Sequence, residues 1–398
     1  MSREQLSIVG LYAVSGAFTS VIWVALPFLF YDLKISLYLL GVIMGVSLLV
    51  GYLARIPSKF YVNMAGPDNA IVIGIMAMGI STSLVFLAKS FSIVLYSFIL
   101  IFIFSALFRA ALKEKTVAKF DGQDSQSKVS NISLVGAFAG FFIFAAFTTK
   151  EAPYIYGILS LIMILSAVAS MMIFSPFKKT VDKKPMHLDI REVVRRPIEI
   201  VESLSRMKNR EFLIVIIVVE ILTILSLSSV TVFIPALAIK DGLTLRPVFI
   251  LFGILGAASF FLKYVGRMFV SGSFSRLFYV LRPGIIMVAM VFFSIAISSY
   301  LFVVGFAFIA VITLTESGFN RYQWNRFSLT DADRVRAATA FFSVPMLIIA
   351  PLLGSLLWAG SPRLLFGFAI FPAILALMIT MFAQGYRSSV DSPKPANQ

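Results

Sequence analysis

Glu220 is the acidic residue best placed to do chemistry inside an apolar stretch of this sequence. It lies eight residues after Phe212, where a long apolar run begins. A rise of 1.5 Å per helical residue would place it roughly 12 Å into a hydrocarbon core about 30 Å thick. A charge at such a depth is costly and usually functional, so Glu220 is predicted to bind a cationic group or to carry a proton. A carboxylate hydrogen-bonded between helices is the alternative.

Two hydroxyl residues follow Glu220 on the same predicted helix. Thr223 shares the face of Glu220 because it lies three residues later, and Ser226 lies beside that face. The three residues together form a candidate site for a substrate or a proton.

A second polar face runs through the first apolar segment of the chain. Tyr12, Ser15, Thr19 and Trp23 are spaced three, four and four residues apart, which puts them on one side of a helix. Two interpretations remain open. The face is either the wall of a substrate cavity with an aromatic platform, or a helix-packing surface, in which Ser and Thr are also common.

Arg109 and Glu316 lie near the ends of two further apolar segments and are 207 residues apart. An ion pair between them would form a gate that closes in one conformation and opens in another. The alternatives are local pairing with neighbouring charges and extension of the long Arg109 side chain to the membrane interface.

Composition excludes several other kinds of chemistry. The sequence has no cysteine, and its one histidine, His187, lies in a charged stretch, so no metal or other cofactor is predicted and a Ser-His pair within the membrane is not expected. It contains no Walker-type Gly-x4-Gly-Lys-Ser/Thr run, so the chain has no ATP motor of its own. The net charge of +15 follows from basic loops, so nucleic acid is not a predicted partner.

Lipid must be the main solvent of this chain. Hydrophobic residues make up 59% of it and charged residues 13%, whereas soluble domains are about 45–50% apolar and about 25% charged. A helix needs roughly 20 apolar residues to span a bilayer. The sequence therefore predicts an all-α integral membrane protein with about 12 transmembrane helices, at 6–31, 36–57, 69–88, 91–112, 129–149, 153–175, 212–239, 247–266, 279–298, 300–320, 337–358 and 363–384.

The distribution of basic residues predicts the orientation of these spans. When both termini are placed in the cytoplasm, 28 of the 34 Lys and Arg residues fall in cytoplasmic segments and six on the other side. This asymmetry follows the positive-inside rule. We expect a multi-pass protein of the plasma (cytoplasmic) membrane with both termini in the cytoplasm.

The longest polar stretch divides the spans into two groups of six. Residues 1–175 and 212–387 are predicted to form two six-helix bundles, and 388–398 a disordered tail. Between the bundles lies a cytoplasmic linker, 176–211, in which Ile190, Val194, Ile198, Val201 and Leu204 recur at helical spacing. The linker is expected to contain an amphipathic helix under the membrane, with a solvated connection as the alternative.

The two groups of spans resemble each other at similar offsets. Tyr52 and Arg55 at the end of span 2 correspond to Tyr264 and Arg267 at the end of span 8, 212 residues later. A late proline recurs in spans 1 and 7, at a separation of 208 residues. These matches predict a duplicated six-helix unit, and such halves usually enclose a binding site near the midplane of the membrane.

The end of span 2 is similar to the signature of the major facilitator superfamily, Gly-x-Leu-Ala-Asp-Arg-x-Gly-Arg-Lys. Gly51, Leu53 and Ala54 match it, and Lys59 keeps a basic residue. Arg55 replaces the signature Asp, which puts the family's charge-relay role for that Asp in doubt. The resemblance in architecture covers essentially the whole chain. It implies two pseudo-symmetric bundles, a central cavity lined by spans 1, 4, 7 and 10, and a signature loop between spans 2 and 3.

The resemblance also implies a function. We expect a secondary active transporter that moves a small-molecule substrate of unknown class by alternating access, with the lipid bilayer as its environment and proton coupling as one option. A monomer is expected, and no enzymatic activity. A transport-incompetent membrane sensor or scaffold remains an alternative because the signature Asp is missing, and a membrane-embedded enzyme is the third.

Overall fold

The structure is a computed structural model that describes residues 2–120, 123–174, 210–268, 272–296, 299–324 and 329–388. Most of the predicted linker and the predicted disordered tail lie outside these ranges. The described residues are almost entirely helical and include no β-strand. The predicted all-α fold class is therefore confirmed.

The helices of the first half follow the predicted spans closely. Ser2 begins the first of them with a capping box, in which its hydroxyl accepts from Gln5 N and the Gln5 side chain accepts from Ser2 N. The helices are α1 (Arg3–Asp32), α2 (Leu39–Leu53), α3 (Arg55–Ala65), α4 (Pro67–Phe86), α5 (Phe91–Lys119), α6 (Gln123–Phe144) and α7 (Ala152–Phe174).

The second half continues the same pattern, with one span broken. Span 7 consists of two helices joined by the 3₁₀ turn Thr231–Phe233, because Pro235 has no N–H to donate to a carbonyl of the preceding turn. Pro27, its counterpart in the repeat, lies inside the continuous helix α1. The helices are α8 (Arg210–Val230), α9 (Ile234–Lys240), α10 (Leu245–Met268), α11 (Gly272–Ser294), α12 (Ser299–Trp324), α13 (Leu329–Gly360) and α14 (Pro362–Ser388).

The described helices account for the twelve predicted spans. Nine helical segments are long and apolar enough to cross a membrane, and α2 and α3 together make a tenth that is bent by 42°. Two shorter apolar helical stretches, Asn131–Phe144 and Tyr300–Glu316, coincide with predicted spans 5 and 10. A chain of about twelve spans follows, as the hydropathy predicted.

Contacts divide the chain into two units. The first contains the described residues of Met1–Leu188 together with Val232–Ala257, and the second those of Asp189–Thr231 and Ala258–Gln398. The grouping of Val232–Ala257 with the first unit differs from a simple division at the linker. The two six-helix bundles at 1–175 and 212–387 remain a prediction.

In the first unit, α1 and α6 approach each other at small residues. A Cβ atom added at Gly136 would lie 1.9 Å from Ala13 O, and one added at Gly16 would lie 1.8 Å from Ser133 O. Only glycine permits this approach of the two backbones. Gly16 and Gly136 therefore form a close helix contact, which fixes the side of α1 that faces away from α6.

In the second unit, α8 packs against α13 and α14, and α11 packs against α12 and α14. Buried apolar residues from α8, α11 and α14 form one continuous cluster: Phe212, Ile216, Val219, Tyr279 and Ala376. This packing fixes the rotation of α8, the helix that carries Glu220.

Candidate functional site

The polar face of α1 lies against α5, the fourth predicted span. The Tyr12 and Thr116 hydroxyl oxygens are 3.3 Å apart, and Nη2 of Arg109 donates to Oγ1 of Thr19 at 3.2 Å. The second contact lies seven residues further along α1 and seven residues back along α5, about 10.5 Å or two turns on each helix. The two helices therefore run antiparallel in a regular register, and their shared seam is polar.

Trp23 continues this seam with aromatic contacts one turn beyond Thr19. Its ring centroid lies 5.3 Å from that of Phe98 and 5.6 Å from that of Phe102, at tilted and edge-on angles that favour aromatic pairs. Ser15 is half-buried on the same face. Three of the four residues of the predicted face thus contact α5 through their side chains.

Arg109 is exposed and lies ten residues before the end of α5. The charged group of its own unit that acts on it electrostatically is another cation, Arg55 at the start of α3. Arg55 in turn lies over the ring of Tyr52, 5.2 Å from the ring centroid. The α1–α5 seam consequently has positive charge concentrated around Arg109.

The signature residues at the end of predicted span 2 lie on two helices that meet at a bend of 42°. Helix α2 ends at Leu53, Ala54 is buried at the bend, and α3 begins at Arg55. The chain reverses only at Gly66, whose φ of 85° favours glycine, just before Pro67 starts α4. The amphipathic segment between these points keeps its backbone groups paired by continuing as a helix.

Within this bend, Gly51 faces α5 and the charged residues face outward. A Cβ atom at Gly51 would meet the Phe102 side chain at 3.0 Å, so the small residue admits that ring. Arg55 and Lys59 are exposed, and so is Leu53. Of the predicted signature residues, Gly51 and Ala54 serve packing, and the two cations are available to solvent.

An ion pair that sequence reasoning missed connects α4 to α5. Lys115 Nζ lies 2.5 Å from Asp68 Oδ1, and the lysine side chain is 9% exposed and that of the aspartate 31%. The Lys115 ammonium also lies 4.9 Å from the ring centroid of Phe174. Asp68 directly follows Gly66 and Pro67, in the first turn of α4. A Gly-Pro pair followed by an acid is typical of a helix start, so the sequence did indicate the position of Asp68 but not its partner.

A second ion pair closes the same end of the unit. Lys119 Nζ lies 2.5 Å from Glu4 Oε2, and the side-chain amide of Gln5 donates to the carbonyl of Lys119 at 3.0 Å. These contacts join the start of α1 to the end of α5. Lys115 and Lys119 lie on either side of Thr116 on α5, so the two ion pairs flank the contact of Tyr12 with Thr116.

The second unit presents the other predicted site on α8. Glu220 is half-buried, and Thr223 is 3% exposed with no hydrogen-bond partner for its Oγ1 atom. Ser226 is fully buried and donates to Ala369 O at 2.7 Å, which links α8 to α14. The hydroxyl of Ser226 thus serves helix packing, whereas Glu220 and Thr223 leave polar atoms available one turn apart.

Glu316, the other half of the predicted gate, is half-buried on α12. Thr315 beside it is buried and bonds back to Ile312 O within the same helix. The gate proposed with Arg109 stays a prediction.

The comparison with known families decides the class of the protein. The sequence profile of the Major Facilitator Superfamily matches residues 8–322. The chain belongs to the major facilitator superfamily. It is therefore a multi-pass membrane transporter.

Solved structures of major facilitator transporters share this fold. A mutant form of the nucleoside transporter NupG superposes with a TM-score of 0.74 at 9% identity, covering 95% of this chain and 99% of that one. A POT family transporter in complex with 5-aminolevulinic acid gives 0.73 at 14%, covering 98% and 97%. The human organic anion transporter MFSD10 gives 0.61 at 13%, covering 96% and 100%. No curated protein matches the sequence.

Seen as a major facilitator protein, the chain departs from its family at the signature acid. Arg55 occupies that position, and the acid that pairs with a base near the end of α5 is Asp68, thirteen residues later. The family signature places its acid at the end of span 2. In this chain the ion pair instead joins Asp68, at the start of α4, to Lys115, near the end of α5.

Proposed function

We propose that this protein is a secondary active transporter that moves a small solute across the plasma membrane by alternating access. The observation that carries the proposal is the polar seam of α1 and α5, in a member of the major facilitator superfamily. Thr19 lies at the midpoint of predicted span 1, where lipid-facing residues would be apolar, and it accepts a hydrogen bond from a charged residue. Polar groups at that depth suit a solute path.

The source of energy follows from the sequence. Because the chain contains no Walker-type phosphate-binding run, we propose that a gradient of protons, ions or substrate drives transport. Glu220 with Thr223 is the proposed proton or cation site, since a half-buried carboxylate and an unpartnered buried hydroxyl lie one turn apart in an apolar helix. The solute leaves chemically unchanged, so no enzymatic step is proposed.

We further propose a monomer with both termini in the cytoplasm. The excess of Lys and Arg on one side of the predicted spans supports this orientation. The similar structures include a nucleoside transporter, a POT family transporter and an organic anion transporter, so the likeness in fold leaves the substrate class open.

Uptake into proteoliposomes tests the proposal. Purified protein is reconstituted, a pH or ion gradient is imposed, and radiolabelled phosphate, benzoate, citrate, uridine and dialanine are offered in turn. We expect at least one class to accumulate above the level in empty liposomes and to leak out when an ionophore removes the gradient. Equal uptake by empty liposomes for every class would refute transport of these solutes.

A further inference from the structure

The guanidinium of Arg109 contacts a polar residue of α1. It donates to Thr19, which lies halfway along predicted span 1. In the register of the seam, Arg109 on α5 stands level with Thr19 on α1, so this hydrogen bond holds the guanidinium at that level.

Among the described residues of its unit, no carboxylate forms an ion pair with Arg109. The ion pairs of the described part of this unit are Lys115 with Asp68 and Lys119 with Glu4, and neither includes Arg109. Its contact, Thr19, is neutral, and the charge that acts on it is that of Arg55, which repels it. Two cations without a carboxylate in a largely apolar bundle are an arrangement that a bound anion stabilises.

The geometry of the seam also fits an anion. Guanidinium carries five N–H donors in a planar fork that matches the two oxygens of a carboxylate or phosphate, and Arg109 is exposed, so donors not used by Thr19 can reach a ligand. Thr19 accepts from Arg109, so its own hydroxyl proton can be donated to the same anion. Trp23, one turn away, offers an aromatic edge to the apolar remainder of a solute.

We propose that Arg109 and Thr19 bind the anionic group, a carboxylate or a phosphate, of the solute that this transporter carries. The proposal rests on the proposed transport function for the solute's fate, but binding itself is independent of flux. An anionic lipid headgroup has the same chemistry, and the test separates the two sources.

The test measures binding by thermal unfolding of purified protein in phosphatidylcholine nanodiscs. Inorganic phosphate, benzoate and citrate are titrated against chloride at equal ionic strength. We expect at least one of the three to raise the unfolding temperature in a saturable way. Arg109→Gln should weaken its apparent affinity at least about tenfold, and Arg109→Lys should retain part of it because the charge remains but the fork is lost.

Lys113→Gln is the matched control, since Lys113 is an exposed cation one turn further along α5. It removes the same charge and should leave the affinity unchanged. Thr19→Val keeps the shape of the side chain and should weaken binding several-fold. If Arg109→Gln does not fold, the anion affinities of Thr19→Val and Arg109→Lys are compared with that of Lys113→Gln. Weaker binding in the first two variants supports the site, and equal binding in all three overturns it. No anion-specific shift, or equal losses in Arg109→Gln and Lys113→Gln, would overturn the site.

Two further arms separate the possible failures. If phosphatidylglycerol in the nanodisc stabilises the parent through Arg109 and none of the three soluble anions competes with it, the solute proposal is refuted in favour of a headgroup site. If gradient-driven uptake of an anion persists unchanged in Arg109→Gln, the site is refuted while transport stands. Anion binding that depends on Arg109 without any uptake supports the site and refutes transport.

Discussion

Nη2 of Arg109 donates to Oγ1 of Thr19 at 3.2 Å, across the seam between α1 and α5. Two residues that the sequence suggested separately, one as a gate and one as part of a cavity wall, thus meet in one contact. The parallel contact of Tyr12 with Thr116 lies two turns away in the same register. Polar contacts repeated along two antiparallel helices make this seam the part of the first unit best suited to a solute.

Replacing Glu220 by Gln should remove the pH dependence of transport. The amide keeps the size of the side chain but cannot take up or release a proton, so coupling through this site would be lost. The measurement is proteoliposome uptake between about pH 5 and 8 for a solute that the parent accumulates. Glu211→Gln, at the exposed start of the same helix, is the control and should behave like the parent. An unchanged rate and pH profile in Glu220→Gln would assign the carboxylate a structural role.

The ion pair of Lys115 with Asp68 should stabilise the first unit measurably. Surface ion pairs contribute about 0–1 kcal/mol and breaking a buried pair costs about 3–5 kcal/mol, so this partly exposed pair should give a coupling energy of about 1–3 kcal/mol. A double-mutant cycle with Lys115→Gln and Asp68→Asn, read by denaturant unfolding, measures it. Simple additivity of the two effects would mean that the residues do not interact.

The glycine contact of α1 with α6 should tolerate no side chain. Gly136→Ala places a methyl group on Ala13 O, and such overpacking typically costs about 1–3 kcal/mol. Gly10→Ala is the matched control, because a Cβ atom at Gly10 has no neighbour within 4 Å and the change favours a helix by about 1 kcal/mol. Opposite shifts of the unfolding temperature are expected. Equal shifts would contradict the close approach of the helices.

Asp241, in the turn after α9, should make stability depend on pH. Burial raises the pKa of its carboxyl group above the ordinary value of 3.8, and the neighbouring Lys240 opposes this only in part. Because the folded state binds the proton more tightly than the unfolded state, stability is highest below about pH 3.8 and is lost as pH rises through the folded-state pKa.

Asp241→Asn should therefore unfold at a higher temperature than the parent at pH 7. The gain in the free energy of unfolding should be about 0.5 kcal/mol, because solvent screens this partly exposed group. The difference should shrink as pH approaches 4. Asp32→Asn, which changes an exposed carboxylate, serves as the control. A difference that grows as pH falls would contradict the direction of the shift.

The gate prediction concerns Arg109 and Glu316. We expect their charges to couple in one conformation of the transport cycle, by about 1–2 kcal/mol, which corresponds to a roughly 5- to 30-fold change in a two-state ratio. Distance labels on Arg109→Gln, Glu316→Gln and the double variant measure that ratio. Additive effects would rule out the gate. Anion binding gives a separate readout, since Glu316→Gln should not weaken it.

Hydropathy and charge were enough to predict the spans, because a bilayer imposes length and composition on each helix independently of its neighbours. What the sequence could not supply is which helices touch. Ser226 looked like part of a binding face, yet its hydroxyl bonds to Ala369 on a helix more than a hundred residues away.

The signature region shows the same limit. The sequence shows that the signature Asp is missing. It does not show that Asp68 pairs with Lys115, because this pairing depends on the bend at Ala54 and the turn at Gly66, which bring Asp68 to α5. Likewise, the sequence left a gate, local pairing and extension to the interface open for Arg109, and it did not indicate the contact with Thr19 that the structure shows.

The most direct test of alternating access uses the absence of native cysteines. A single thiol introduced as Ser15→Cys lies on the half-buried polar face of α1, between the contacts made by Tyr12 and Thr19. Vesicles of both orientations are treated with a membrane-impermeant thiol reagent. We expect Ser15→Cys to be labelled from either side of the membrane. Ile80→Cys, at an exposed apolar position on α4, should be labelled from neither. Labelling of Ser15→Cys from one side only, or from neither, would contradict alternating access.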